Sequence, residues 1–424
     1  MLKIKEWFSL KEHLSIDKLL LLIVLVLPWS NALCNILIVV LLSLFSFSYY
    51  NNRINIQRDF KIGFSFIFIF ILVCALSIIN LEHPEDGIHY LARISLIITI
   101  PLAIYYFKRR NSDIINKVLL KGYIHSAVIL AFVTIVYGIF KWYTNTENLP
   151  IEQFLTYKDL ARLLVNHQPI YFSLFIGFGG ILSFSAFLNS KKNKTKGLYL
   201  SECIFLLAFI FLLGARTAIV STLICIAIMA FKSSKKALLI LGLTFSLLFA
   251  ANYSYNNTFK TRVDYLLEFT TDFDYHSSWS YEGLAFRFMT WNCSIEVIKN
   301  NFWFGTGISG AQEQLDACYY NNSYDSLIYF IENDNTKFNS HNLFLEVFVT
   351  TGLLGVLILS AIFIYYLIFA IKKSKFLLII FIAYFLLNGL TESLFIREKG
   401  ILFFAIFLGI LSNLDNYSKP HLSK

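Results

Sequence analysis

Long apolar runs alternate with short polar joints along most of the chain, and the pattern breaks at length once, between about residues 253 and 342. A helix of about 20 apolar residues, rising 1.5 Å per residue, crosses a hydrocarbon core of roughly 30 Å. By that measure the runs predict about twelve spanning helices. They cover 17–32, 33–49, 62–80, 89–107, 121–143, 168–188, 198–213, 216–232 and 236–252, then 343–371, 375–392 and 399–413. Only Pro28-Trp29-Ser30-Asn31 marks a turn between the first two. Within the polar interruption, Arg287 and Trp291 are spaced four apart and Ile295 continues their face, which predicts a helix over 282–300 on or near the membrane surface. Continuous Leu, Ile and Phe runs lack the short alternating strands of a β-barrel. The predicted class is an all-α polytopic membrane protein.

Charge orients these helices. Lys3, Lys5, Lys11 and Lys18 precede the first, and every even-numbered exit is basic: Arg53 and Arg58, Lys108 to Arg110, Lys191 and Lys192, Lys232 and Lys235, Lys372 and Lys373. Odd-numbered exits are short or acidic, as at Glu82, Glu85 and Asp86. Basic loops stay cytoplasmic, so both termini are expected there and the 253–342 segment on the opposite face, the periplasm in a Gram-negative cell. The expected organisation is an N-terminal helical part, 1–252, an outward polar segment with the active-site helices, 253–342, and a C-terminal helical part, 343–424.

Composition agrees, with 57% hydrophobic and only 15% charged residues. The net charge of +9 is spread in small clusters between apolar runs, a topology signal with no implication of nucleic acid. No cleavable signal peptide stands out. Gly305-Thr306-Gly307-Ile308-Ser309-Gly310 clusters glycines without the strand and Lys-Ser/Thr of a nucleotide-binding loop, which excludes a cytoplasmic ATPase or kinase. Cys34, Cys74, Cys203 and Cys225 fall in or beside apolar runs as small hydrophobes. Cys293 and Cys318 both fall on the outward side, where a disulfide would persist.

Several outward polar residues carry chemistry. Arg216 follows Gly214-Ala215 at a helix junction where the charge rule disfavours a cation, which suggests an anion ligand; an interfacial snorkelling side chain is the plainer reading. Arg287 reads as a second cation or an ordinary solvated one. His341 opens the run Leu343-Phe344-Leu345-Glu346, and a neutral imidazole at a helix start can accept a proton. Glu392 in Leu390-Thr391-Glu392-Ser393 has three open roles: orienting an imidazole, binding a sugar hydroxyl, or pairing with Arg397. Arg93 and His167-Gln168-Pro169-Ile170-Tyr171 are further candidates for substrate contact or structure. Asp272-Phe273-Asp274 has an Asp-x-Asp pattern but no accompanying carboxylates, so no metal site is expected.

Two guanidiniums can clamp a diphosphate, and a neutral His can deprotonate an attacking hydroxyl. With those residues in hand, the sequence resembles the O-antigen ligase family, which includes related polymerases. The resemblance is carried by Gly214-Ala215-Arg216-Thr217, Arg287 with Trp291, Trp303-Phe304-Gly305-Thr306-Gly307, Ser340-His341-Asn342-Leu343-Phe344-Leu345 and Thr351-Gly352-Leu353-Leu354-Gly355. It covers about 199–410, and the N-terminal half agrees mainly in topology. It implies a GT-C-like membrane glycosyltransferase of the bacterial inner membrane, inverting and metal-independent, with no cofactor. The implied donor is an undecaprenyl-diphosphate-linked glycan, and the implied acceptor a hydroxyl of lipid A-core or of another glycan. Arg216 and Arg287 would correspond to the diphosphate ligands and His341 to the catalytic base, with Glu392 and Arg93 as substrate-binding candidates. The rival within the family is an O-antigen or exopolysaccharide polymerase. The rival of another class is a precursor flippase or transporter, which the one-sided placement of the polar residues disfavours.

Overall fold

The computed structural model describes residues 16–51, 56–78, 84–108, 113–145, 150–155, 157–165, 167–233, 235–255, 257–268 and 282–414. Among them the regular structure is helical. A short helix, α1, covers 16–26, and the turn at Pro28 separates it from α2 (Asn31–Asn51), so the first two runs are distinct helices. There follow α3 (Arg58–Leu76), α4 (Pro84–Ile94), α5 (Leu96–Lys108), α6 (Asp113–Tyr143), the short α7 (Glu152–Leu155) and α8 (Tyr157–Leu163), α9 (Pro169–Asn189), α10 (Asn193–Leu213), α11 (Arg216–Ser233) and α12 (Lys235–Tyr255). The polar interruption holds α13 (Asn257–Glu268), α14 (Glu282–Asn300), α15 (Ala311–Asn321) and α16 (Asp325–Asp334), and the chain continues through α17 (Leu343–Lys372), α18 (Phe376–Gly389) and α19 (Glu398–Ser412).

Eight helices among the described residues are long and apolar enough to cross a membrane. Their outer faces carry large exposed apolar side chains, such as Ile36, Val39 and Phe47 on α2 and Phe132 and Phe140 on α6. Contiguous apolar surface of this kind needs a lipid solvent. The chain is thus an all-helical, polytopic membrane protein. The count differs from twelve because several apolar runs form short helices: α18 has 14 residues and α19 has 15. At 1.5 Å per residue they rise roughly 21–23 Å, well short of a hydrocarbon core of about 30 Å.

Helix α9 is the axis of the bundle, buried along nearly its whole length against α6, α10, α11, α18 and α19. Tyr384 of α18 donates to the Leu174 carbonyl of α9 at 2.9 Å, and Asn388 Nδ2 donates to Ser221 Oγ of α11 at 2.8 Å. These hydrogen bonds satisfy polar atoms that lipid cannot.

The run at 343–371 is not a single span. Gly352 inside α17 has φ 66° and ψ −165°, a conformation open to glycine and costly for other residues. The helix bends back there, so that the Phe344 and Phe363 rings meet at 6.3 Å. In a straight helix these positions would lie roughly 28 Å apart. The carbonyls freed by the bend are capped by the preceding loop: Thr306 N–H donates to Val349 O at 2.8 Å and Gly307 N–H to Thr350 O at 3.0 Å. The loop's own Gly305 has φ 70° and lies so close that a Cβ on it would meet Gly352 N at 2.6 Å. Two glycine motifs of the sequence are therefore the two halves of one knuckle. Residues 343–351 return toward the bundle, and 353–372 supply the span.

Helices α14 to α16 have their own core. Cys293 and Cys318 are joined in a disulfide between α14 and α15, as their placement predicted. Around it pack Met289, Leu315, Tyr319, Leu327 and Phe338.

Candidate active site

The fold-back decides where His341 lies. Leu343 packs against Gly389, where an added Cβ would meet the leucine at 3.2 Å, and Asn342 Nδ2 donates to Leu390 O at 2.9 Å. The start of α17 therefore sits on the end of α18, at the level of the 390–397 turn. Asn342 is the N-cap: its Oδ1 accepts from Phe344 N at 2.9 Å and Leu345 N at 3.1 Å. His341 is the residue before the cap, not the first of the helix, and its φ of 42° is left-handed.

Side chains hold this strained residue from both sides. Three successive amides are each captured: Ser340 N–H by Glu346 Oε2 at 2.9 Å, His341 N–H by Asn339 Oδ1 at 2.9 Å, and Asn342 N–H by Ser393 Oγ at 3.2 Å. The hydroxyl of Ser393 lies 3.4 Å from the same Glu346 oxygen. A non-glycine residue with positive φ persists only where its surroundings over-determine it, and such residues cluster at functional sites.

The His341 ring turns Nδ1 toward Glu392 Oε2 at 3.4 Å, with the carboxylate buried and the imidazole partly exposed. Of the three roles open to Glu392, the structure shows a contact for the first; no ion pair joins it to Arg397 among the described residues, and its charge also acts on the Tyr171 hydroxyl. An Nδ1–H that donates to a carboxylate leaves Nε2 as the proton-accepting nitrogen.

Arg216 and Arg287 converge on one turn of helix. Gly214 closes α10 in a left-handed C-cap, which starts α11 at Arg216. A Cβ at Gly283, in the first turn of α14, would lie 3.7 Å from Arg216 Nη2. Arg287, one turn later, donates through Nη1 to the Gly283 carbonyl at 2.7 Å and through Nε to Thr391 O at 3.3 Å. The Thr391 hydroxyl in turn donates to Thr217 Oγ1 at 2.7 Å. Thr391 thus touches both arginine-bearing helices, and its neighbour Glu392 touches His341. Helix α14 has the ends that the sequence predicted.

Arg93 reaches the far end of the same turn, donating to Ile396 O and His89 O at 3.3 Å each. His167 is buried, with Nε2 donating to Pro28 O at 2.9 Å and Nδ1 accepting from Lys399 Nζ at 2.7 Å. Burial, then the Lys399 charge, push its pKa down to about 4, against the smaller opposing effect of the Pro28 carbonyl. Its role is structural, tying the Pro28 turn to the starts of α9 and α19. Asp272 and Asp274 lie outside the described residues.

Sequence reasoning quoted Thr217, Ser393 and Glu346 only within longer motifs, without a part of their own, and did not reach Asn339. Only Glu346 gave a signal, as a lone acid inside an apolar run.

The fold and site define a polytopic membrane protein that gathers two arginines and a His–Glu pair at one end of its bundle. Residues 203–360, which include Arg216, Arg287 and His341, match the family model described as O-antigen ligase. Arg93 and Glu392 lie outside the matched residues. No curated relative matches the chain. The match supports an O-antigen ligase- or polymerase-like function.

Proposed function

We propose that the chain is a GT-C-like glycosyltransferase of the bacterial inner membrane, with both termini cytoplasmic and its site on the periplasmic face. It transfers a glycan from an undecaprenyl-diphosphate carrier to an acceptor hydroxyl. The observation that carries this reading is the single turn at 391–392, which contacts Arg287 through Thr391 O and His341 through the Glu392 carboxylate. Diphosphate ligands and base are thereby held in fixed relation.

In the proposed step, Arg216 and Arg287 hold the donor diphosphate. The acceptor hydroxyl gives its proton to His341 Nε2 as its oxygen bonds to the anomeric carbon. The bond from that carbon to the carrier diphosphate breaks, its electron pair leaves on the phosphate oxygen, and the two guanidiniums stabilise the charge gathering there. Attack opposite the leaving group inverts the anomeric carbon. Glu392 fixes the imidazole's tautomer and stabilises the imidazolium that forms.

Lipid A-core as acceptor makes the enzyme a ligase; a second lipid-linked glycan makes it a polymerase. The lobe of α14 to α16, closed by its disulfide, is the part that would receive either acceptor. The test is reconstitution with a lipid-linked glycan and each acceptor, scored by product size. Wild type should transfer glycan in detergent without an ion gradient, and folded His341→Ala or Arg287→Ala protein should not. Full transfer by either variant would discard the assignment, and gradient-dependent lipid movement without transfer would favour a flippase.

A further inference from the structure

Beyond Glu392, the turn between α18 and α19 changes character. Arg93 lies against Ile396 O, Arg397 is exposed, and Lys399 binds the neutral His167 ring. Arg397 is within electrostatic reach of Lys399 and of the Tyr171 hydroxyl. Three cations therefore gather at this end of the turn. Among the described residues no carboxylate lies within 4.0 Å of any of them. Glu398, the acid between the last two, is turned to Asn35 Nδ2 at 2.8 Å.

Cations are disfavoured on the outward side of a membrane protein and costly near hydrocarbon. Glu392 acts on the same Tyr171 hydroxyl as Arg397, yet none of the three has a carboxylate in contact among the described residues, which leaves them open to an anion from elsewhere. They retain donors for one: Arg93 spends two of its five N–H groups on carbonyls, and Lys399 one of three on His167. The order along the turn is informative. Thr391 faces Arg287, Glu392 faces His341, and Ile396 faces Arg93. In chain order the His341 contact falls between the two cationic contacts, an order that suits a base in a reaction joining two anionic, lipid-borne substrates.

We propose that Arg93, Arg397 and Lys399 form a second anion site, which holds a phosphate of the acceptor while Arg216 and Arg287 hold the donor diphosphate. The acceptor assignment rests on the transferase reading above; the anion site rests on the cation cluster alone. Its ligand is a lipid-borne phosphate, carried by a second lipid diphosphate or by a phosphorylated lipid-anchored saccharide.

The experiment has a binding part and a kinetic part. Full-length protein in phosphatidylcholine nanodiscs is titrated with farnesyl diphosphate. Wild type should bind two molecules per chain, Arg216→Gln should lose one, and the Arg397→Gln/Lys399→Gln double variant should lose the other. Arg93→Gln alone should weaken the second site, and the Arg397→Lys/Lys399→Arg variant should restore it, which separates lost charge from lost fold. A single wild-type site, or two sites in the double variant, would overturn the proposal. In turnover, Arg397→Gln should raise KM for the acceptor about tenfold, the weight of one charge-assisted hydrogen bond, with KM for the donor unchanged. An equal rise in both would overturn the assignment to the acceptor. Comparing a lipid-diphosphate acceptor with phosphorylated and dephosphorylated lipid A-core identifies which phosphate is read. Two-site binding with no transfer to any acceptor would leave the anion site standing and remove the transferase reading.

Discussion

One oxygen of Glu346 accepts the amide N–H of Ser340 at 2.9 Å, across the first turn of α17. That bond fixes the residue before His341 and, with Ser393, the backbone that carries the imidazole. Glu346→Ala should therefore lower kcat roughly 10- to 100-fold with little change in KM, the effect of a base displaced by about 1 Å. Glu346→Gln keeps an acceptor oxygen and should recover most of the rate. Steady-state kinetics of the two variants decide it; equal rates for both would show that Glu346 does not position the base.

The knuckle at Gly352 should be intolerant. A Cβ there would meet Trp303 O at 2.4 Å, and φ of 66° strains any side chain. Gly352→Ala should cost about 3 kcal/mol or more, since both backbones must move apart. Thermal unfolding in detergent would show it as a lowered Tm. An unchanged Tm would mean that the bend is not required.

His167 should make the protein acid-sensitive. Its folded pKa, about 4, lies below the ordinary value of 6.5. The unfolded chain therefore binds the extra proton first, and stability falls as pH drops below 6.5 toward 4. The loss should approach about 3 kcal/mol by pH 4. His167→Asn should flatten this part of the profile, as read from Tm at pH 7, 6, 5 and 4.

The Cys293–Cys318 bridge closes a loop of 25 residues. On the chain-entropy account a loop of that size contributes about 3.5 kcal/mol. Peptide mapping without reductant should recover the two cysteines linked, and the Cys293→Ser/Cys318→Ser double variant should expose α14 to protease before the bundle. Free thiols in the oxidised, exported protein would contradict the pairing.

Much of the candidate site was legible as polar residues because lipid makes them conspicuous. Arg216, Arg287, His341 and Glu392 stand out from apolar surroundings, and α14 declared its ends through the spacing of Arg287, Trp291 and Ile295. The fold-back was hidden for the opposite reason: hydropathy runs unbroken through Gly352, and a backbone angle has no hydropathy. Thr391 was visible as part of Thr391-Glu392-Ser393, but its part was not, since that depends on Thr217 and Arg287, which are distant in sequence. Arg93 was visible as a cation, but not as a neighbour of Ile396.

The shortness of α18 and α19 has a consequence for the turn that joins them. Neither helix leaves a residue exposed, so protein and not lipid closes over their ends. A rise of roughly 21–23 Å leaves that turn below the level that full spans reach through a hydrocarbon layer of about 30 Å. Irregular backbone at such depth persists where protein buries it or a water-filled cavity meets it. The turn that carries Thr391 and Glu392 is therefore the floor of a recess, and any substrate that meets it must come down from the membrane surface.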